Sequence, residues 1–242
     1  MWFIQPKRDY IPEMKWERAG EEALLSWQVR ARNYNVFVAN IVFIVGLGIA
    51  MLVGGAAYAL PESLVGKVAM GSGMFLLMLI VVMSISHQTS IIVYRFTDNV
   101  GEIHSWKPQV DAIKPFFKWS SIILLPIAFV IVILEPKLIL ISSVPLIIGS
   151  VGLMMGTNEN YKDIWKDKKH KVFEWKKANK IYIYPRRNVI GVCVPFYDED
   201  RNENRERIRA VFYKKGEREK MIHFFRSHLP SVEVVEEKFY IL

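Results

Sequence analysis

The chain has 242 residues, 52% of them hydrophobic and 23% charged, and its 32 Lys and Arg against 24 Asp and Glu give a formal net charge of +8. The apolar residues gather in long runs almost free of charge, which argues against a water-soluble domain, and the basic excess beside such runs reads as the positive-inside bias of membrane loops rather than as a nucleic-acid footprint. The single cysteine, Cys193, excludes an intrachain disulfide and a cysteine-based zinc site, and is expected to be a small core residue.

Residues 1–35 read as a cytoplasmic N-terminal segment. Its opening apolar run is short and lacks a small-residue cleavage site, so no cleavable signal peptide is expected and the first span serves as the insertion signal. Trp16, Ala19, Ala23, Leu24, Trp27 and Tyr34 recur at about helical spacing. That pattern predicts an amphipathic helix, either lying in the membrane interface with Trp16 and Trp27 in the headgroup zone or packed on the protein's own cytoplasmic domain.

Residues 36–86 hold the first predicted transmembrane hairpin. Its runs, 36–60 and 64–86, are joined by Pro61-Glu62-Ser63. Small residues at Gly46, Ala50 and Gly54, and at Ala69 and Gly73, fall every fourth position, which predicts faces where helix backbones approach closely. Asn40 is expected to make an interhelical hydrogen bond. Lys67, near the start of the second run, can snorkel to the surface.

Residues 87–118 read as a cytoplasmic β-hairpin. Ser90-Ile91-Ile92-Val93-Tyr94-Arg95-Phe96 is β-branched and aromatic, Asp98-Asn99-Val100-Gly101 is turn chemistry, and the residues to Trp106 alternate polar and apolar. An isolated hairpin is marginal in water, so it is expected to pair with strands of the tail in one sheet.

Residues 119–155 hold a second predicted hairpin, with runs 119–134 and 138–155 joined by Glu135-Pro136-Lys137, prolines at Pro126 and Pro145, and small residues at Gly149, Gly152 and Gly156. The prolines are expected to kink and shape the helices. Residues 156–242 read as an α+β unit, with strands around residues 171–175, 180–184, 189–194, 207–212 and 232–235, and a helix over 216–229 stopped by Pro230. The predicted fold is therefore membrane α-helical, with four transmembrane helices in two hairpins, plus a small cytoplasmic α+β domain. The Lys and Arg distribution places both termini and the central loop in the cytoplasm.

Little chemistry accompanies this frame. The predicted spans hold no Asp, Glu, His or Arg in their interiors, the first sign a pump or transporter would show. The stretch from Asp198 to Asn204 alternates oxygen ligands as a calcium loop does, but Glu203 stands where the template needs Gly and Arg209 where it needs Glu, so a solvated hairpin loop is expected. The histidines show no ligand spacing. No catalytic residue, metal site or cofactor is expected. Lys168, Lys169, Lys171, Arg186 and Arg187 form a basic cluster that anionic headgroups would attract.

The strand–turn–strand from Val93 to Ile103, the segments 181–194 and 208–213, and the helix 217–229 together resemble the bacterial pleckstrin-homology-like membrane proteins. The resemblance implies an antiparallel sheet closed by one C-terminal helix, in a protein that binds or scaffolds rather than catalyses. The expected function is a non-enzymatic inner-membrane subunit that anchors this domain and joins a larger assembly. Its expected partners are membrane lipids and other membrane or cytoplasmic subunits, with a homo-oligomer as a further option and no nucleic acid. A small oligomeric channel or transporter subunit is the alternative.

Overall fold

A computed structural model of the chain describes residues 5–7, 11, 13–109, 122, 126, 133, 166–198 and 202–241. The chain divides into two compact units, one formed by Met1–Ile103 with Val172–Leu242 and the other by His104–Lys171.

The larger unit begins with β1 (Leu25–Ala31), then α1 (Val36–Ala59), α2 (Leu64–Ser86) and β2 (Ser90–Phe96). The two helices have 24 and 23 residues. At ~1.5 Å of rise per residue each extends ~35 Å, enough to cross a ~30 Å hydrocarbon core. Asn35 caps α1, its Oδ1 accepting from the Phe37 N–H at 3.0 Å, and Ser63 caps α2, its Oγ accepting from the Gly66 N–H at 3.1 Å. Each cap satisfies a backbone donor that the first helical turn leaves unpaired.

The strand β3 (Gly101–Trp106) follows a turn at Thr97, and β4 (Lys169–Phe173) returns to complete a four-stranded sheet in the order β1-β2-β3-β4. A second four-stranded sheet, in the order β7-β6-β5-β8, holds β5 (Lys180–Ile183), β6 (Val189–Asp198), β7 (Glu203–Phe212) and β8 (Glu233–Glu236). The helix α3 (Arg218–His228) lies between β7 and β8 in the chain. Gly216, at φ +91°, makes the turn into it, a conformation that costs a residue with a Cβ.

Large aromatics join these elements. Trp27 stacks on Tyr94 at 4.7 Å and on Phe96 at 5.6 Å, and Phe96 meets Trp175 and Phe225 edge-on at 5.4 and 5.7 Å. Their polar tips are satisfied within the core. The Trp27 Nε1–H donates to the Phe212 carbonyl at 2.8 Å, and the Trp175 Nε1–H to the Thr97 carbonyl at 3.0 Å. The Tyr94 hydroxyl accepts from the Phe212 N–H at 2.9 Å and donates to the Ala210 carbonyl at 3.1 Å. Burial pushes this hydroxyl well above the usual tyrosine range. Met221, Phe225 and Leu229 bring α3 onto the same core.

A buried ion pair ties the N-terminal segment to the first sheet. Glu102, with no solvent exposure, accepts from the Glu17 and Arg18 N–H groups at 2.8 and 3.0 Å and pairs with Arg95 at 3.4 Å. Arg95 in turn donates to the carbonyls of Arg18 and Glu21.

In the smaller unit, the described residues include the ends of β3 and β4. The Lys107 N–H donates to the Lys166 carbonyl at 2.9 Å, and Asp167 pairs with Lys107 and Lys169 at 3.5 and 3.1 Å. Burial opposes ionisation of Asp167, but the two ammonium groups hold its carboxyl below the usual range.

This architecture corrects the predicted fold class. Among the described residues there are two helices long and apolar enough to cross a membrane, not four, and the β part forms two sheets rather than one. The runs 119–134 and 138–155, with Pro126 and Pro145 among them, lie largely outside the described residues, and Gly149, Gly152 and Gly156 wholly so. Nor is the second sheet purely antiparallel, since β5 and β8 pair in parallel, Lys180 opposite Glu233 and Ile183 opposite Glu236. Placing α3 after β7 brings the chain back in the direction of β5.

The predicted N-terminal amphipathic helix is also corrected. Leu25–Ala31 is a strand. Trp16 and Trp27 are 7% and 6% exposed, buried in protein rather than set in a headgroup layer. Trp27 also suits a strand whose partner supplies a stacking tyrosine, and here that packing prevails.

Candidate functional site at the membrane neck

The helical hairpin grows out of a strand pair. β1 and β2 are antiparallel, with Trp27 opposite Tyr94 and Ala31 opposite Ser90 at the open end. From there the chain reaches α1 through Arg32-Asn33-Tyr34-Asn35 and leaves α2 through His87-Gln88-Thr89. Two such short links, leaving neighbouring strands, give the helices little freedom to swing.

Side chains tighten this neck. The Tyr34 hydroxyl donates to the Ser86 carbonyl at 3.0 Å, joining the start of α1 to the end of α2. The Ser86 Oγ lies 2.8 Å from His87 Nδ1, and the His87 ring meets Phe43 edge-on at 4.8 Å. Arg187, in the β5–β6 turn, reaches across from the second sheet. Its guanidinium donates to the Arg32 carbonyl at 2.6 Å and the Tyr34 carbonyl at 3.4 Å, and lies 5.7 Å from the Phe212 ring. Burial lowers the Arg187 pKa, and the Arg32 charge lowers it further. Burial and then Arg32 likewise depress His87.

Within the hairpin the helices meet through small residues. Ala50 has no exposed surface. A Cβ on Gly54 would sit 2.9 Å from the Phe75 Cβ and 3.1 Å from the Gly71 carbonyl oxygen, and one on Gly71 would sit 2.8 Å from the Tyr58 Cβ and 3.1 Å from the Gly54 carbonyl oxygen. A Cβ on Gly46 would meet the Val82 side chain at 2.6 Å. Gly46, Ala50 and Gly54 thus line the α1 face toward α2. On α2 the contact is made by Gly71; Ala69 and Gly73 are exposed, and a Cβ on Gly73 would meet nothing within 4 Å. The four-residue spacing is present on α2, but shifted from the face that packs.

Elsewhere the outer flanks are open: only 11% and 6% of the most apolar stretches of α1 and α2 are buried. Asn40 is exposed on α1 rather than facing α2. Ser72, Ser84 and Ser86 donate back to the carbonyls of Val68, Val81 and Val82 at 2.6, 2.7 and 2.7 Å, so these hydroxyls are satisfied within their own helix.

The predicted headgroup residues fall in both units. Lys168, Lys169 and Lys171 belong to the smaller unit, where Lys169 pairs with Asp167. Arg186 is exposed in the β5–β6 turn, while Arg187 is engaged at the neck. Sequence reasoning missed Arg32, Tyr34 and His87 as neck residues. The available signal was a cation and an aromatic just before the first apolar run, and a histidine just after the second. It also missed the stacking of His104 on His170 at 4.0 Å within the smaller unit, for which no local pattern exists. Cys193 is buried; burial, with the Glu206 carboxylate accepting its thiol hydrogen at 3.4 Å, pushes its pKa up to about 11.

Comparison of the chain with protein-family models, curated proteins and solved structures gave no match.

Proposed function

We propose that this chain is a non-enzymatic membrane subunit. In this reading α1 and α2 cross the bilayer, and the two-sheet unit stands on the cytoplasmic surface as a platform for other proteins of an assembly. The binding or scaffolding role implied by the pleckstrin-homology-like resemblance belongs to the same proposal.

One observation carries it. The apolar hairpin leaves the unit as the continuation of a paired β1–β2 ladder, with Arg187 bonded to the carbonyls of the first link. A mobile tether needs neither feature, whereas a platform held at fixed height and angle to a bilayer needs both. Two spans return the chain to its starting side, and the basic residues Arg30, Arg32 and Arg95 lie on that side, consistent with a cytoplasmic placement.

The test is purification of the tagged full chain, expressed at its native level, in a mild detergent. The expected result is a particle heavier than one protomer, with a second polypeptide at a fixed ratio. A lone protomer that keeps its fold would count decisively against the proposal.

A further inference from the structure

The strand β7 stands at the end of its sheet, so among the described residues one of its sides has no neighbouring strand. Its register with β6 runs unbroken from the pair Val189–Phe212 to the pair Asp198–Glu203. The Tyr213 N–H donates to the Asn188 carbonyl at 3.1 Å in that same register. Odd-numbered residues of β7 therefore bond β6, and even-numbered ones turn their N–H and C=O groups to the open side. At the inner end, side chains of the first sheet close that side. The Tyr94 hydroxyl holds the Ala210 carbonyl and the Phe212 N–H, and the Trp27 indole holds the Phe212 carbonyl. Farther out nothing takes their place. Among the described residues no group bonds the outward N–H and C=O of Asn204, Glu206 or Ile208. Such an open row is a template for another strand.

One face beside this row carries positive charge. Arg205, Arg207 and Arg209 recur at every second position, opposite Phe196, Val194 and Val192 of β6, so all three project from the same face of the sheet. Asp198 and Glu203 pair with Arg205. No carboxylate pairs with Arg207 or Arg209 among the described residues. The Arg207 guanidinium instead lies 4.1 Å from the centre of the Phe196 ring. Arg209 is half-buried, and burial, then the Arg207 charge, lowers its pKa. A second copy of β7 would set the same arginines against these, and like charges facing across strands repel. The occupant that fits is an extended segment with carboxylates at alternate positions.

Resting on the reading of the sheet unit as a docking platform, we propose that the outer half of β7 binds an extended acidic segment of a partner protein by strand addition. Asn204, Glu206 and Ile208 supply the backbone bonds, and Arg207 and Arg209 meet the carboxylates. Backbone bonding gives the affinity, and the two arginines give the choice of partner. The side-chain bonds from Trp27 and Tyr94 end the added strand before Ala210.

The experiment uses the detergent-solubilised full chain and short capped fluorescent peptides that alternate valine with glutamate, glutamine or lysine. Fluorescence anisotropy should show the glutamate peptide binding about tenfold more tightly than the glutamine peptide, the scale of one lost charge-assisted hydrogen bond. The lysine peptide should bind more weakly still. A glutamate peptide with N-methylated backbone amides keeps its charge, loses its donors and should not bind. Glu206→Pro removes an N–H from the open side and none from the β6 ladder. It should abolish binding with tryptophan fluorescence unchanged, and Arg207→Glu should turn the preference toward lysine.

Equal binding of the glutamate and lysine peptides by the wild type, or full binding of the N-methylated peptide, would overturn the inference and needs no variant to fold. Displacement of the glutamate peptide by single-stranded polyuridylate would overturn it in favour of a nucleic acid. A dimer that Glu206→Pro splits would overturn it in favour of a second copy. Purification from native-level expression separates the edge from the platform. A chain that carries a second polypeptide yet ignores the peptides defeats the edge alone, whereas a lone protomer defeats the platform itself.

Discussion

The helical hairpin and the two-sheet unit are held together by opposite means. Between α1 and α2 the contact depends on what is missing: Gly54 and Gly71 lack the atoms that would keep the backbones apart, and beyond the Tyr34–Ser86 bond at the neck Ser72, Ser84 and Ser86 donate within their own helix. In the sheet unit the contact depends on what is present: Trp27, Tyr94 and Trp175 fill the core, and each hydrogen-bonds a distant backbone group. The difference follows from the solvent each region is built for. Lipid offers no hydrophobic drive between apolar helices, so close approach must supply the attraction. Water drives the aromatics inward, and their polar tips must then find partners. Substitutions should therefore fail differently in the two regions.

The largest effect is expected at the Arg95–Glu102 pair. Glu102→Ala leaves Arg95, whose side chain is 5% exposed, buried without its counter-charge and frees the Glu17 and Arg18 N–H groups. Such a loss costs about 3–5 kcal/mol, read from chemical denaturation of the detergent-solubilised chain by tryptophan fluorescence. Replacing both partners, with Arg95→Met added, should recover part of it. A single substitution that leaves the denaturation midpoint unmoved would show that the pair does not hold the N-terminal segment.

A smaller and more local effect is expected in the hairpin. Gly54→Leu and Gly71→Leu place side chains where even a Cβ lies about 3 Å from its neighbours. Overpacking of this kind costs about 1–3 kcal/mol, and here it can be relieved by parting the helices. Spin labels at Gly48→Cys and Gly73→Cys, both positions where an added Cβ meets nothing within 4 Å, should report a longer distance in the Leu variants. The buried Cys193 thiol, its pKa pushed up to about 11, should stay unlabelled. Tryptophan fluorescence of the sheet unit should not change. A concerted loss of both regions would mean that they fold as one body and the contrast does not hold.

What the sequence discloses follows the same division. Apolar runs broken by Pro61-Glu62-Ser63 disclose α1 and α2 almost to the residue, because length and composition alone decide them. β2 is legible from its β-branched and aromatic run, and α3 from Met221, Phe225 and Leu229 at helical spacing. β1 was legible too: Leu25, Trp27, Val29 and Ala31 alternate with Ser26, Gln28 and Arg30. The helical spacing of Trp16, Ala19, Ala23 and Trp27 competes with that alternation, and only the partner strand decides between them. The neck is less legible. Arg187 reads in sequence as one more basic residue near a span, and nothing local says that its guanidinium ends on the carbonyls of Arg32 and Tyr34, more than 150 residues earlier. Long-range contacts of single side chains leave no periodic trace, whereas faces and runs do.

The smallest effect expected is a pH dependence at the neck, where the hairpin meets the sheet unit. Burial, and then the Arg32 charge, lower the His87 pKa from its ordinary value of 6.5. In the folded state the neutral ring is therefore favoured, and the unfolded chain binds the extra proton first as pH falls. The contribution of His87 is fully present above pH 6.5 and is lost as pH drops below that value and through the lower folded-state pKa. The ring is only partly covered, so solvent screening keeps the effect small. Denaturation midpoints of the wild type and of His87→Gln, compared at pH 7.5 and at pH 5, should converge or cross toward the acid side as the wild type loses this term and the variant does not. A wild type that gains stability relative to the variant on acidification would mean that the imidazole is held charged at the neck, and that an anion already sits beside it.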